Sequence, residues 1–228
     1  MEPVAGINNT GLTAILVGGM GLVGGLLLDK LLGDHRYDRV VTLSRKRIPK
    51  NHPKLDQYQV DLLDPGTYHK EMRGNHLFIC TGTTQAKTPD PKDYYRIEHD
   101  LPVMVAQTAF KKGVDKVLAI SALDADPNSS FKYNRGKGEM ERDIETIGFA
   151  ECYFVQPALI GGEREERRPF ERIWKKLQTL ADPLMIGFLK KYRIIAPEVI
   201  AKSMIIIAID GYHKNRIESE EIKSIVAA

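Results

Sequence analysis

Tyr133 and Lys137 stand four residues apart in the run Tyr133-Asn134-Arg135-Gly136-Lys137. On a helix this spacing puts both side chains on one face. A phenol beside an ammonium is a proton-transfer pair. The free phenol titrates near about pH 10, and a neighbouring positive charge favours the phenolate, bringing the tyrosine towards general acid/base work near neutrality. At about 100° per residue, Met140, Ile144 and Ile147 share that face. The pair therefore extends an inward stripe that an ordinary core helix fills with apolar groups. A lysine on it is costly unless it has a partner.

A second constellation lies near the amino terminus. Gly19-Met20-Gly21-Leu22-Val23-Gly24 satisfies G-x-G-x-x-G, and Gly18, Gly21 and Gly24 also satisfy G-x-x-G-x-x-G. The run follows an apolar strand pattern, Thr13 to Val17, and opens a helical one. In that context the missing Cβ atoms let backbone approach a pyrophosphate, and the helix amino terminus offers its N–H groups to the anion. Ser44-Arg45-Lys46-Arg47 ends the next strand, where an NAD-selective site usually presents an acid to the ribose. A guanidinium there can hold a 2′-phosphate, so NADP(H) is the preferred cofactor and NAD(H) the secondary one. Asp61, followed by Leu62, is placed to meet the adenine amino group.

The elements that position these residues follow from periodicity. Strands are predicted at 13–17, 39–44, 58–61, 76–80, 116–120 and 151–155, with a last one at 216–218. Helices are predicted from Leu22 to about Gly33, over 91–112 and 131–147, and from Pro197 onwards. The 91–112 helix rests on Tyr95, His99, Val103, Ala106 and Phe110 at helical spacing. This alternation predicts an α/β fold, a Rossmann-like doubly wound parallel sheet with helices on both faces. One domain is expected over 1–228, with 161–195 forming a small lobe over the cleft. Within that lobe Trp174, Leu177, Leu180, Leu184 and Phe188 are flanked by Lys175, Lys176, Lys190 and Lys191. A helix packed on the cleft is the favoured reading of this segment, and peripheral attachment to anionic membranes the less favoured one.

Composition narrows the class. In 228 residues, 43% hydrophobic and 28% charged, there is enough apolar material for a core, which excludes an intrinsically disordered chain. A net charge of +3 is too mild for a nucleic-acid binder. Cys80 and Cys152 are too few for a disulfide framework or a four-ligand zinc site, and the six histidines show no paired ligand spacing, so no metal is expected. Reduced cysteines point to a cytoplasmic location. The uncharged stretch Gly11–Leu28 reads as strand, glycine turn and helix start instead of a membrane span.

Together the glycine loop, the strand order and the Tyr133/Lys137 pair resemble the short-chain dehydrogenase/reductase superfamily, in its atypical, extended-like members. Ile120 to Asp126, Tyr133 to Glu139 and Tyr192 to Ala201 are similar to the TIP30/CC3 oxidoreductase group and its bacterial relatives. The resemblance implies Tyr133 as general acid/base and Lys137 as the group that lowers its pKa and holds the nicotinamide ribose. It also implies a hydroxyl steadying the substrate oxygen. Ser121 matches that position, or Ala122 occupies it if the register differs by one. Thr81-Gly82-Thr83 and Pro157-Ala158-Leu159 then line the two sides of the cofactor. Gly136 departs from the pattern, because glycine beside the lysine weakens the helix by up to about 1 kcal/mol. The implied activity is NADP(H)-dependent hydride transfer on a small carbonyl or alcohol substrate. The alternative is a nucleotide-sensing or partner-binding protein with little turnover.

Overall fold

The computed structural model describes residues 10–161 and 192–227. Seven strands form one parallel sheet: β1 (Leu12–Val17), β2 (Tyr37–Ser44), β3 (Leu55–Gln59), β4 (His76–Ile79), β5 (Lys116–Ile120), β6 (Glu151–Gln156) and β7 (Arg216–Glu218). Their order is β3-β2-β1-β4-β5-β6-β7. The described helices are α1 (Leu22–Gly33), α2 (Pro91–Tyr95), α3 (Leu101–Phe110), α4 (Lys132–Glu145), α5 (Pro197–Asp210) and α6 (Ser219–Ala227).

β1 shows why the strands read as unbroken apolar runs. Ala14 and Leu16 enter one core with Leu27 and Leu31 of α1 and Ile200 and Met204 of α5. Ile15 and Val17 enter the other, with Val105 and Ala109 of α3 and Met140 and Ile144 of α4. A strand covered on both faces has no solvent side on which to alternate. Strand order reverses between β1 and β4, and in such sheets the crevice beyond the carboxyl ends at that point is where ligands bind.

Apart from shifts of one or two residues at element ends, the structure departs from expectation in three places. β3 lies earlier than 58–61, because Leu55 to Gln59 pair in register with Val40 to Ser44. Asp61 therefore does not close a strand; its Oδ1 accepts from the Leu63 amide at 3.0 Å in a local turn. The carboxyl-terminal helix α6 was not anticipated. The helix expected over 91–112 ends at Phe110 and is interrupted. Between α2 and α3, Arg96–Asp100 form a π turn, in which the Leu101 amide donates to the Arg96 carbonyl. Pro102 has no amide proton for the Glu98 carbonyl, the partner it would have in a regular helix.

Gly11–Leu28 divides into strand, turn and helix as expected, and no helix among the described residues is long and apolar enough to cross a membrane. The lobe over 161–195, with its apolar and lysine-rich segment, falls almost wholly outside the described residues.

Candidate active site

The glycine loop builds one end of the crevice from backbone alone. Gly18 has φ +93°, a conformation side chains rarely adopt, and a Cβ on it would overlap the Cys80 carbonyl. A Cβ on Gly24 would overlap the Gly18 carbonyl, so this glycine lets α1 start tight against the strand end. The spacing that the packing requires is therefore Gly18, Gly21 and Gly24. Gly21 caps α1 with extended backbone and no side-chain hydrogen bond, and no acid stands in the first turn. The amides of Leu22 and Val23 and the helix dipole are left to face an anion.

The other end is built from side chains. Lys137 is 2% exposed, and the partner it requires is Glu98, whose Oε2 lies 2.7 Å from Lys137 Nζ. Burial opposes the lysine's charge, but Glu98, with Tyr133 and Glu141 adding to it, holds the pKa above the usual lysine value. Glu98 also accepts the Thr83 amide. The π turn delivers this acid: it turns both Glu98 and His99 inward, the latter meeting Asp143 of α4 at 3.1 Å. Sequence periodicity missed Glu98; the signals for it were the buried lysine's need for an anion and Pro102 in mid-helix.

Tyr133 is less buried than the stripe implied. As the second residue of α4 it stands above the core at the cleft mouth, 43% exposed. Ser121, not Ala122, faces the cleft, with its Oγ buried and without a hydrogen-bond partner. Gly138 lets the chain between these two residues approach α4 closely. A Cβ there would overlap the Asp126–Pro127 backbone, so the loop after β5 lies directly on α4. A Cβ on Gly136 would meet the Tyr95 ring only at ordinary contact distance, so packing does not demand glycine there.

One cleft thus gathers Gly21, Leu22, Val23, Thr81, Gly82, Thr83, Ser121, Tyr133 and Lys137, with Cys80, Glu98, Ile120 and Ile160. Burial pushes the Cys80 thiol up to about 12, so it serves as a neutral wall. Other expected residues lie outside this lining. Gly18, Gly19 and Gly24 support the loop from within, and Met20 is exposed. Ser44 is buried, donating to the Lys46 carbonyl at 2.6 Å, and this turn presents Arg45 and Lys46 to solvent. Leu62 is core and Asp61 exposed. Pro157 and Leu159 carbonyls accept from the Leu123 and Ile195 amides, and the Ala158 amide donates to the Ser219 hydroxyl.

These residues fit a nicotinamide dinucleotide. The cradle admits no Cβ at Gly18 or Gly24, the helix terminus is uncapped, and two buried hydroxyl oxygens, Ser121 Oγ and Thr81 Oγ1, lack protein partners.

A family model, the NAD dependent epimerase/dehydratase family, matches residues 14–131. Protein fmp52, mitochondrial, of Aspergillus niger is 33% identical over 83% of this chain and 84% of its own length. The Saccharomyces cerevisiae FMP52 protein, also named mitochondrial, is 29% identical over 67% of this chain and 68% of its own. Among solved structures, a UDP-N-acetylglucosamine 4-epimerase from Methanobrevibacter ruminantium superposes with TM-score 0.67 at 16% identity, over 91% of this chain and 75% of that one. Bordetella bronchiseptica WbmG in complex with NAD superposes with TM-score 0.66 at 14% identity, over 96% and 77%. At such identities the structures share the fold.

The relatives' names overturn the cytoplasmic expectation. That expectation rested on reduced cysteines, yet Cys152 is buried and the Cys80 thiol is held protonated by burial, so neither thiol reports on its compartment. The chain belongs to the NAD-dependent epimerase/dehydratase family, a relative of the short-chain dehydrogenase/reductase superfamily, and within it to the Fmp52-like proteins.

Proposed function

We propose that this protein is an NADP(H)-preferring oxidoreductase of short-chain type, acting on a carbonyl or alcohol carbon of a small molecule. The observation that carries this reading is the convergence of Tyr133, Lys137 and the unpartnered Ser121 hydroxyl in one cleft with the glycine loop. When bound, the dinucleotide supplies or accepts the hydride. Leu22 and Val23 amides hold its pyrophosphate, Lys137 its nicotinamide ribose, and Arg45 and Lys46 its 2′-phosphate. In reduction Tyr133 gives its phenolic proton to the substrate oxygen, and Ser121 donates a hydrogen bond to the same atom. The Lys137 ammonium favours the phenolate left behind. A nucleotide sensor without turnover does not require a tyrosine, a buried lysine and a hydroxyl to line the same cleft. The resemblance to the TIP30/CC3 group supports the same chemistry, and the names of the Fmp52 relatives support a mitochondrial location.

NADPH consumption against aldehydes, ketones and quinones tests the reading. Tyr133→Phe should lower turnover by about 10²–10⁴ and leave NADPH affinity nearly unchanged. Full activity of that variant on a verified substrate overturns the mechanism. Arg45→Glu should weaken NADPH by about 1.5–3 kcal/mol and spare NADH. Equal affinities of the parent for both cofactors would reject the 2′-phosphate assignment.

A further inference from the structure

Glu98 is 4% exposed and both its oxygens are committed, Oε2 to Lys137 Nζ at 2.7 Å and Oε1 to the Thr83 amide. A Cβ on Gly82 would stand 3.4 Å from Oε1, so the carboxylate also underlies the turn after β4. One side chain from the π turn therefore joins the loop that follows β4 to α4. Burying an ion pair is seldom better for stability than burying apolar groups of the same size, because desolvation consumes most of the attraction. The Glu98–Lys137 pair is thus poorly explained as a fold stabiliser. Its geometry suits a ligand: an ammonium has three donors, Glu98 receives one of them, and Lys137 itself lines the cleft.

We propose that Glu98 is a positioning residue for the nicotinamide-ribose half of the dinucleotide site, fixing the Lys137 ammonium and the Thr83 amide relative to each other. The inference rests on the dinucleotide reading above and adds a residue to it. The ionisable groups around Lys137 are Glu98 and Tyr94 from the run 91–110, Tyr133 and Glu141 from α4, and Cys80 after β4. Burial raises the pKa of Tyr94 and of Cys80, so both stay neutral. Glu141 is engaged by Gln156 and Arg216, each at 2.8 Å. With Glu98 neutralised, burial is opposed mainly by these weaker influences, and the lysine gives up its proton at lower pH. Its grip on the ribose then weakens as pH rises, whereas in the parent it is independent of pH until the raised lysine pKa is approached.

The test titrates the parent, Glu98→Gln and Glu98→Asp with whichever of NADPH and NADH the parent binds more tightly. The same proteins are titrated with the matching fragment lacking the nicotinamide ribose, adenosine 2′,5′-bisphosphate or ADP. Glu98→Gln should weaken the dinucleotide about tenfold at about pH 7 and further at about pH 9.5, with fragment affinity unchanged. Glu98→Asp keeps the charge and shortens its reach, so its loss should be smaller, equally selective and the same at both pH values. Equal losses for dinucleotide and fragment, or no loss in Glu98→Gln, overturn the inference. If Glu98→Gln does not fold, Glu98→Asp decides alone: a selective, pH-independent loss supports the role, and an unselective or absent one ends it. A parent that binds neither dinucleotide instead removes the dinucleotide reading itself.

Discussion

At the amino-terminal end of the sheet, Tyr37 Oη lies 2.7 Å from His76 Nδ1, and Lys116 Nζ meets the Ala208 carbonyl at 2.7 Å and Glu151 at 2.8 Å. At the carboxyl-terminal end, Lys137 and Glu98 are paired just as closely, but Ser121 Oγ and Thr81 Oγ1 are buried without a partner. Both ends take polar side chains out of water. The first satisfies those named with protein groups and so acts as a structural clasp between strands and α5. The second leaves donors and acceptors unmet around a crevice, and native interiors rarely do this without a ligand to complete them. Buried polar side chains alone do not mark a site; unmet ones beside a glycine cradle do.

The strongest way to break the crevice end is through its backbone. Gly24→Val forces a side chain into the Gly18 carbonyl, which should cost at least about 3 kcal/mol in urea unfolding and abolish dinucleotide binding. A variant that folds and binds as the parent does would show that the loop is not the tight cradle described.

The clasp end responds to acid. Burial, reinforced by the nearby Lys116 charge, pushes His76 down to about 4 from the usual imidazole value near 6.5. Between these values the unfolded chain binds a proton that the folded chain refuses, so stability falls as pH drops from about 6.5 to about 4. The full loss is about 3 kcal/mol for this group. Urea unfolding of parent and His76→Gln across that window measures it. The substituted chain should lose less over the same interval, and parallel curves would remove His76 as the cause.

How far these two ends were legible in the sequence follows from what each is made of. The glycine loop is written in consecutive residues, so its place was legible from spacing, whereas the choice of Gly18 over Gly19 needed the close approach of the Cys80 carbonyl. Tyr133 and Lys137 were legible as a helical pair, and the lysine's burial implied an anion without naming it. Glu98 was hidden because the π turn inserts one residue into the helical repeat. The stripe expected inward included Tyr95 and Phe110, yet these are 39% and 41% exposed, while Leu101, Val105 and Ala109 are buried instead. Third-strand register was misread for a related reason: Tyr58 to Asp61 looks strand-like locally, but pairing with β2 fixes Leu55 to Gln59. The His76–Tyr37 contact joins residues far apart in the chain, and no local pattern announces it.

The smallest expected effect separates the two ends most directly. Tyr37→Phe leaves the buried His76 Nδ1 without its partner, and stranding a buried polar atom costs about 1–3 kcal/mol. Ser121→Ala removes an oxygen that has no partner to strand. Alanine packs there without the desolvation penalty, and Ser121 keeps its backbone bond from its amide to the Val155 carbonyl whatever the side chain. Ser121→Ala should therefore leave the ligand-free protein unchanged or more stable by up to about 1 kcal/mol, while lowering turnover on any accepted substrate. Urea unfolding of both variants at neutral pH gives the comparison, with opposite signs expected. Equal destabilisation by the two substitutions would mean that Ser121 is a structural hydroxyl like Tyr37, and the distinction between clasp and crevice would fail at the residue on which it depends most.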